Sequence, residues 1–135
     1  MRLKDRCPII EFRDIGDDRG KLVVVEGGQS IPFDIQRVFY IFGSDRTVIR
    51  GRHANKKSEF VLINVAGQSK VRITDSHEEL IVNLDKPMIG VYIPKMIWKD
   101  MYDFSKDSVL LVLASTHYDK TEYIRNYDEY QELMK

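Results

Sequence analysis

Apolar residues along this chain fall in short runs, and turn residues separate them about every ten positions. KLVVVEGG (21–28) reads as a strand ending in a glycine turn. In QRVFYIFG (36–43) a period of two puts Val38 and Tyr40 on one face and Arg37, Phe39 and Ile41 on the other. TVIRGRHA, EFVLINVAG and SKVRITDS follow, and then ELIVNLDKP, MIGVYIP and SVLLVLAS. This pattern predicts an all-β domain of about eight short strands, closed as a jelly-roll sandwich or barrel.

The last segment changes period. In THYDKTEYIRNYDEYQELMK, Tyr123, Tyr127, Tyr130 and Met134 recur at helical spacing. The expectation is one C-terminal α-helix over 119–134, capped by Thr121, laying an aromatic stripe on the barrel. No repeat, low-complexity tract or linker interrupts the chain, so residues 1–135 read as a single domain.

Charge excludes some partners. Lys+Arg and Asp+Glu are both 21, giving zero net charge. With no basic strip interleaved with aromatics, nucleic acid is a poor partner. The lone cysteine, Cys7, cannot form an intrachain disulfide, which suits a reducing compartment. No run approaches the ~20 apolar residues of a membrane span. The opening MRLKDRCPIIEF lacks the apolar core of a secretory signal. A cytoplasmic location, away from membrane, is the expectation.

Candidate chemistry concentrates in GRHANKKSEFVLINVAG (51–67). Side chains that point into a barrel from one strand are spaced by two, and His53, Asn55, Lys57 and Glu59 share that spacing. The stretch resembles the first motif of the cupins, with His53, Asn55, Glu59 and Gly67 in its places; Pro94, Met96 and Lys99 stand in those of the second. Two of four cupin metal-ligand positions are lost. Asparagine binds transition metals poorly, and a lysine ammonium repels a cation. His53 and Glu59 alone make a weak site, so no metal is expected.

A second resemblance covers roughly residues 10 to 132. It is carried by DDRGKLVVVEGGQSIPFDIQRVFYIFG, by IRGRHANK, and by MIWKDMYDFSKDSVLLVLASTHYDKTEYIRNYDEY. These stretches resemble the sugar 3,4-ketoisomerases of the WxcM-like, FdtA/QdtA-type group. The resemblance implies a cupin fold and a homodimer that works without a cofactor. Its substrate would be a dTDP-linked 4-keto-6-deoxyhexose, and its pathway deoxy-amino-sugar and surface-polysaccharide (lipopolysaccharide) biosynthesis. It also implies that His53 is the base, and that Asn55 and Lys99 stand where the family has histidines.

An enediolate isomerisation needs a base of suitable pKa and a donor or cation near the oxygens. Tyr40 and Tyr102 are candidates to donate a proton or touch the sugar, and Lys99 to stabilise the enediolate. Arg19 in DDRG, Arg37, Arg50, Lys70 and Arg72 are candidates for the pyrophosphate. Arg50 lies three residues before His53, on the opposite face of a regular strand, unless Gly51 bulges the strand. Lys70 and Arg72 share one face. Glu59 suits a partner for a neighbouring cation, and Trp98 either lines the pocket mouth or fills the core. His77 and His117 read as exposed or structural. Two other functions fit the same residues: a catalytically silent cupin that binds a nucleotide-sugar or a partner protein, and a related nucleotide-sugar epimerase.

Overall fold

The computed structural model describes residues 1–135. A short helix α1 (Leu3–Arg6) leads into β1 (Ile9–Glu11), and a long loop runs to β2 (Arg37–Phe42). Then come β3 (Arg50–Asn55), β4 (Phe60–Ala66), β5 (Ser69–Thr74), β6 (Glu79–Leu84), β7 (Ile89–Ile93), β8 (Trp98–Tyr102) and β9 (Val109–Ala114). The chain ends in a 3-10 turn (Lys120–Glu122), β10 (Tyr123–Ile124) and α2 (Tyr127–Leu133). Two antiparallel five-stranded sheets face each other, in the orders β1-β7-β4-β9-β2 and β10-β3-β8-β5-β6. This is the jelly-roll sandwich that the short alternating runs predict.

Between the sheets lies one large apolar cluster, including Phe60, Leu62, Val71, Ile73, Leu84, Ile93, Phe104 and Leu110. The first helix adds Leu3 to it, and Cys7 at the helix C-cap joins it. The outer face of the first sheet is also covered. Phe12, Ile31 and Phe33, from the segment between β1 and β2, pack on Val61, Ile63 and Leu113. That second layer explains why β4 reads FVLIN without alternation: both of its faces are buried. No helix is long and apolar enough to cross a membrane.

Two expected elements differ. KLVVVEGG is not a ladder strand; it makes only isolated bridges, at Val23 and Gly27. Val23 and Val25 instead pack on the outer apolar layer, so their burial comes from side-chain contact and not from sheet pairing. The single helix over 119–134 is three elements. Asp119 accepts from the Thr121 backbone N–H and caps the 3-10 turn. Tyr123 and Ile124 then pair with Asn55 and Ala54 as β10. Asn126, not Thr121, caps α2 by accepting from the Glu129 N–H at 2.9 Å. The free strand edge of β3 captured the first half of the tyrosine-periodic segment. The aromatic stripe survives in the second half, where Tyr127 and Tyr130 pack on Trp98.

One local feature sets up the site. Gly51 (φ 84°) and Arg52 (φ 58°) both lie in the left-handed region, and the β3–β8 register shifts between Gly51 and His53. This is a β-bulge. A Cβ at Gly51 would meet the Lys99 carbonyl oxygen at 2.9 Å. Gly51→Ala is expected to lower stability by about 1–3 kcal/mol, measured as a fall in the urea midpoint. An unchanged midpoint would mean that the bulge relaxes to accept a side chain.

Candidate active site

The open end of the sandwich holds a cavity of about 730 Å³, a size suited to a small organic ligand. Its floor comes from Phe60, Leu62, Met101 and Val112, and its polar groups are His53, Lys99, Arg50, Tyr118, Tyr123 and Arg125. Strand pairing dictates this set. Lys99 and Met101 are alternate residues of β8 and both are buried. Their cross-strand partners are His53 and Arg50. The bulge at Arg52 absorbs one residue, so Arg50 and His53 share the inner face although they are three apart in sequence. His53 and Lys99 therefore stand side by side, as directly opposed residues of an antiparallel pair do.

Beside Lys99 the polar groups form a closed network. The Lys99 Nζ donates to Asn55 Oδ1 at 3.1 Å and lies 4.6 Å from the centroid of the Phe60 ring. The Asn55 Nδ2 donates to Glu122 Oε1. Glu122 also accepts from the backbone N–H groups of Lys57 (3.0 Å) and Ser58 (3.1 Å) and from the Ser58 hydroxyl. These donors hold its carboxyl below the ordinary carboxylate range against the opposing effect of burial. Asn55, Ser58, Lys99 and Glu122 are all buried.

Electrostatics set the proton affinities. Burial pushes Lys99 down to about 7, with the Glu122 charge opposing. Burial, then the Lys99, Arg125 and Arg37 charges, pushes His53 down to about 3. The imidazole is thus neutral at physiological pH. Its Nδ1 is buried with no hydrogen-bond partner, and the ring packs edge-on to Tyr123 at 4.7 Å. Arg37 projects inward from β2 next to the same wall. Its Nη1 donates to the Tyr123 hydroxyl at 3.3 Å, while Nε and Nη2 are buried without partners. Its guanidinium lies over the rings of Phe39, Phe60 and Tyr118 instead. No three His, Cys, Asp or Glu side chains stand close enough to hold a metal ion.

The predicted site residues divide by strand face. His53, Lys99 and Arg50 line the cavity; Asn55 is buried behind Lys99, and Arg37 lies behind the Phe39, Phe60 and Tyr118 rings and does not line it. Tyr40 is on its rim, on the opposite face of β2 from Arg37, and is 61% exposed. Trp98 and Tyr102 are an odd number of residues from Lys99, so they point outward from β8. Trp98 is buried under α2, and Tyr102 lines a separate groove with Arg72, Asp100 and Arg125. Arg72 pairs there with Asp100 at 3.0 Å, and Lys70 pairs with Asp103. Glu59 accepts a hydrogen bond from Tyr92, whose ring belongs to the outer apolar layer. Arg19 is exposed and bound to Asp17, outside the cavity of its own chain. His77 reaches the Met134 carbonyl oxygen at 3.1 Å and His117 is exposed, as the sequence implies.

Sequence reasoning missed the C-terminal wall: Tyr118, Glu122, Tyr123 and Arg125. The signal was the alternation in E-Y-I-R, where Ile124 is buried and its neighbours face the other way. The longer tyrosine period concealed it.

Known proteins resemble this chain along almost its whole length. A family model described as FdtA: WxcM-like, C-terminal matches residues 5–135. A TDP-4-oxo-6-deoxy-α-D-glucose-3,4-oxoisomerase from Aneurinibacillus thermoaerophilus is 44% identical over 126 residues, 93% of this chain and 91% of that protein. The sugar 3,4-ketoisomerase QdtA of Thermoanaerobacterium thermosaccharolyticum, solved with TDP, superposes with a TM-score of 0.92. It is 46% identical, with 96% of this chain and 94% of that one covered. A variant of the same enzyme with one histidine changed to asparagine was solved with TDP-4-keto-6-deoxyglucose. It is 45% identical, with the same coverage and a TM-score of 0.92.

Proposed function

The chain belongs to the FdtA family of WxcM-like proteins, and on that footing we propose that it is a sugar 3,4-ketoisomerase. Its substrate is a dTDP-linked 4-keto-6-deoxyhexose, and the carbonyl moves from C4 to C3. The observation that carries this reading is the match to a 3,4-oxoisomerase over 93% of the chain. The cavity geometry supports it independently, because a neutral imidazole and a lysine face one another across a single strand pair.

The chemistry follows from those groups. The hydrogen at C3 is acidic because the C4 carbonyl takes up the charge. The neutral His53 accepts it, leaving an enolate with negative charge on O4. A buried cation beside that oxygen lowers the barrier, and Lys99, which lines the cavity, is placed to supply one. Arg37 stands behind the Phe39, Phe60 and Tyr118 rings that line the cavity and adds positive charge near His53. Arg50 and Arg125 at the mouth are the pyrophosphate contacts, and the rings of Tyr118 and Tyr123 wall the sugar. Asn55 stays within the buried network and does not carry a proton. Proton transfers alone complete the isomerisation.

The working form is a homodimer. Supporting this, β2 is the edge of its sheet and exposes Val38, Tyr40 and Phe42 in a row. An apolar edge strand of this kind is stabilised by a second chain that covers it.

The decisive test is incubation with dTDP-4-keto-6-deoxyglucose in D₂O. The expected result is a 3-keto product carrying deuterium at C4. Binding of dTDP without product or exchange would leave the silent cupin. Inversion of a stereocentre with the carbonyl still at C4 would leave the epimerase.

A further inference from the structure

The isomerisation must also return a proton to C4, and the network around Lys99 identifies the group that does so. Three observations converge. First, Lys99 is 3% exposed yet lines the cavity directly opposite His53. Second, its amine makes one hydrogen bond to the protein, to Asn55, and forms no ion pair. An ammonium has three N–H donors, so the others remain for a ligand. Third, the Asn55 amide can be oriented in one way only. Its NH₂ faces Glu122, which accepts, and its oxygen faces Lys99, which donates. Glu122 is saturated by the Lys57, Ser58 and Asn55 donors, so it acts as a fixed charge and not as a proton carrier.

We propose that Lys99 returns the proton to C4, and that Glu122, acting through Asn55, is the positioning residue that holds the Lys99 amine against the cavity. This rests on the isomerase reading above. The step balances as follows. His53 takes the C3 proton and becomes imidazolium while a C3–C4 double bond forms. The O3 proton passes to O4. Lys99 then gives an N–H proton to C4 as the double bond opens and O3 becomes the carbonyl. The neutral amine regains a proton from the imidazolium, directly or through solvent, and both side chains return to their starting states.

The charged and titratable groups around the amine are its cross-strand neighbour His53, Glu122 before β10, and Cys7 at the end of α1; around His53 stand Arg37 on β2 and, on the C-terminal wall, Arg125 and Tyr123. Glu122 is the negative charge that favours the protonated amine; Arg37 and Arg125 add positive charge around His53. The lowered proton affinity of Lys99 is consistent with reversible transfer near neutral pH.

The test follows two events separately in D₂O: deuterium entering C3 of recovered substrate, which reports His53, and formation of the 3-keto product, which also needs the second transfer. Lys99→Arg keeps a cation but holds its proton at neutral pH. It is expected to exchange C3 within about tenfold of the wild-type rate while product forms at least about 100-fold more slowly. The alkaline limb of kcat against pH reports the positioning role. Glu122→Gln should move it to lower pH by removing the charge that favours the ammonium. Asn55→Ala removes the oxygen that holds the amine and leaves the Glu122 charge in place, so it should slow product formation more than C3 exchange even if Glu122→Gln fails to fold. Product formation by Lys99→Arg within tenfold of wild type would overturn the proposal, as would an Asn55→Ala variant in which C3 exchange and product formation fall equally. Those results leave the isomerase reading standing. A wild-type enzyme that neither exchanges nor converts the substrate overturns both.

Discussion

Replacing His53 with asparagine is expected to lower kcat by roughly a hundred- to ten-thousand-fold, the range for removing a positioned general base. Asparagine fills a similar volume and still hydrogen-bonds, but it cannot accept the C3 proton. KM should change far less, because the mouth arginines and the cavity walls are untouched. Steady-state kinetics on the 4-keto sugar read this directly, and full turnover by His53→Asn would remove His53 from the chemistry. The same substitution has a pH signature in stability. Burial and neighbouring cations depress His53 to about 3 in the folded state, whereas an unfolded histidine titrates near 6.5, so the unfolded chain binds the proton first as pH falls. The contribution of the neutral imidazole is therefore fully present above about pH 6.5 and is lost progressively as pH falls toward the folded value. At pH 5 the loss amounts to about 2 kcal/mol. Urea midpoints of wild type and His53→Asn should accordingly converge toward the variant's favour between pH 7 and 5, as expected of one proton taken up on unfolding.

Glu122→Ala is expected to be among the most destabilising single changes in the chain, costing about 3–5 kcal/mol. The loss is not of one bond. The Lys57 and Ser58 backbone N–H groups, the Ser58 hydroxyl and the Asn55 NH₂ all lose their acceptor. Asn55 and Ser58 are buried, so their donors, left without the acceptor, carry the cost of their desolvation. The buried Lys99 loses the charge that opposes its desolvation. The measurement is the urea midpoint against wild type at pH 7. A change below about 1 kcal/mol, typical of an exposed ion pair, would show that water replaces the carboxylate at little cost. A further change, Glu122→Ala with Lys99→Met, should recover part of the loss, because a buried ammonium then no longer stands uncompensated.

Much of the chain's organisation is set by its own local pattern. Apolar and polar residues alternating every second position, punctuated by glycine, proline and Asx turns, dictate short strands and therefore an all-β fold. The same period could have sorted several site candidates: Trp98 and Tyr102 stand an odd number of residues from Lys99, so they could not enter the cavity beside it.

Other features are invisible along the chain because they depend on what lies across it. Arg50 reaches the His53 face only because a bulge at Gly51 and Arg52 resets the strand period, and the bulge exists against its β8 partner. KLVVVEGG has every mark of a strand, yet no partner edge receives it. The segment from Asp119 to Ile124 has a helical rhythm, but the open edge of β3 offers it backbone hydrogen bonds that an isolated helical turn cannot match. That choice brings Glu122 to Asn55, sixty-seven positions away in the chain, and Asn55 to Lys99. The sequence by itself determined the strand pattern and supplied His53, Asn55 and Lys99. Tertiary structure alone decided that these three meet, with Glu122 behind them, because local periodicity orients a side chain and only long-range pairing gives it a neighbour.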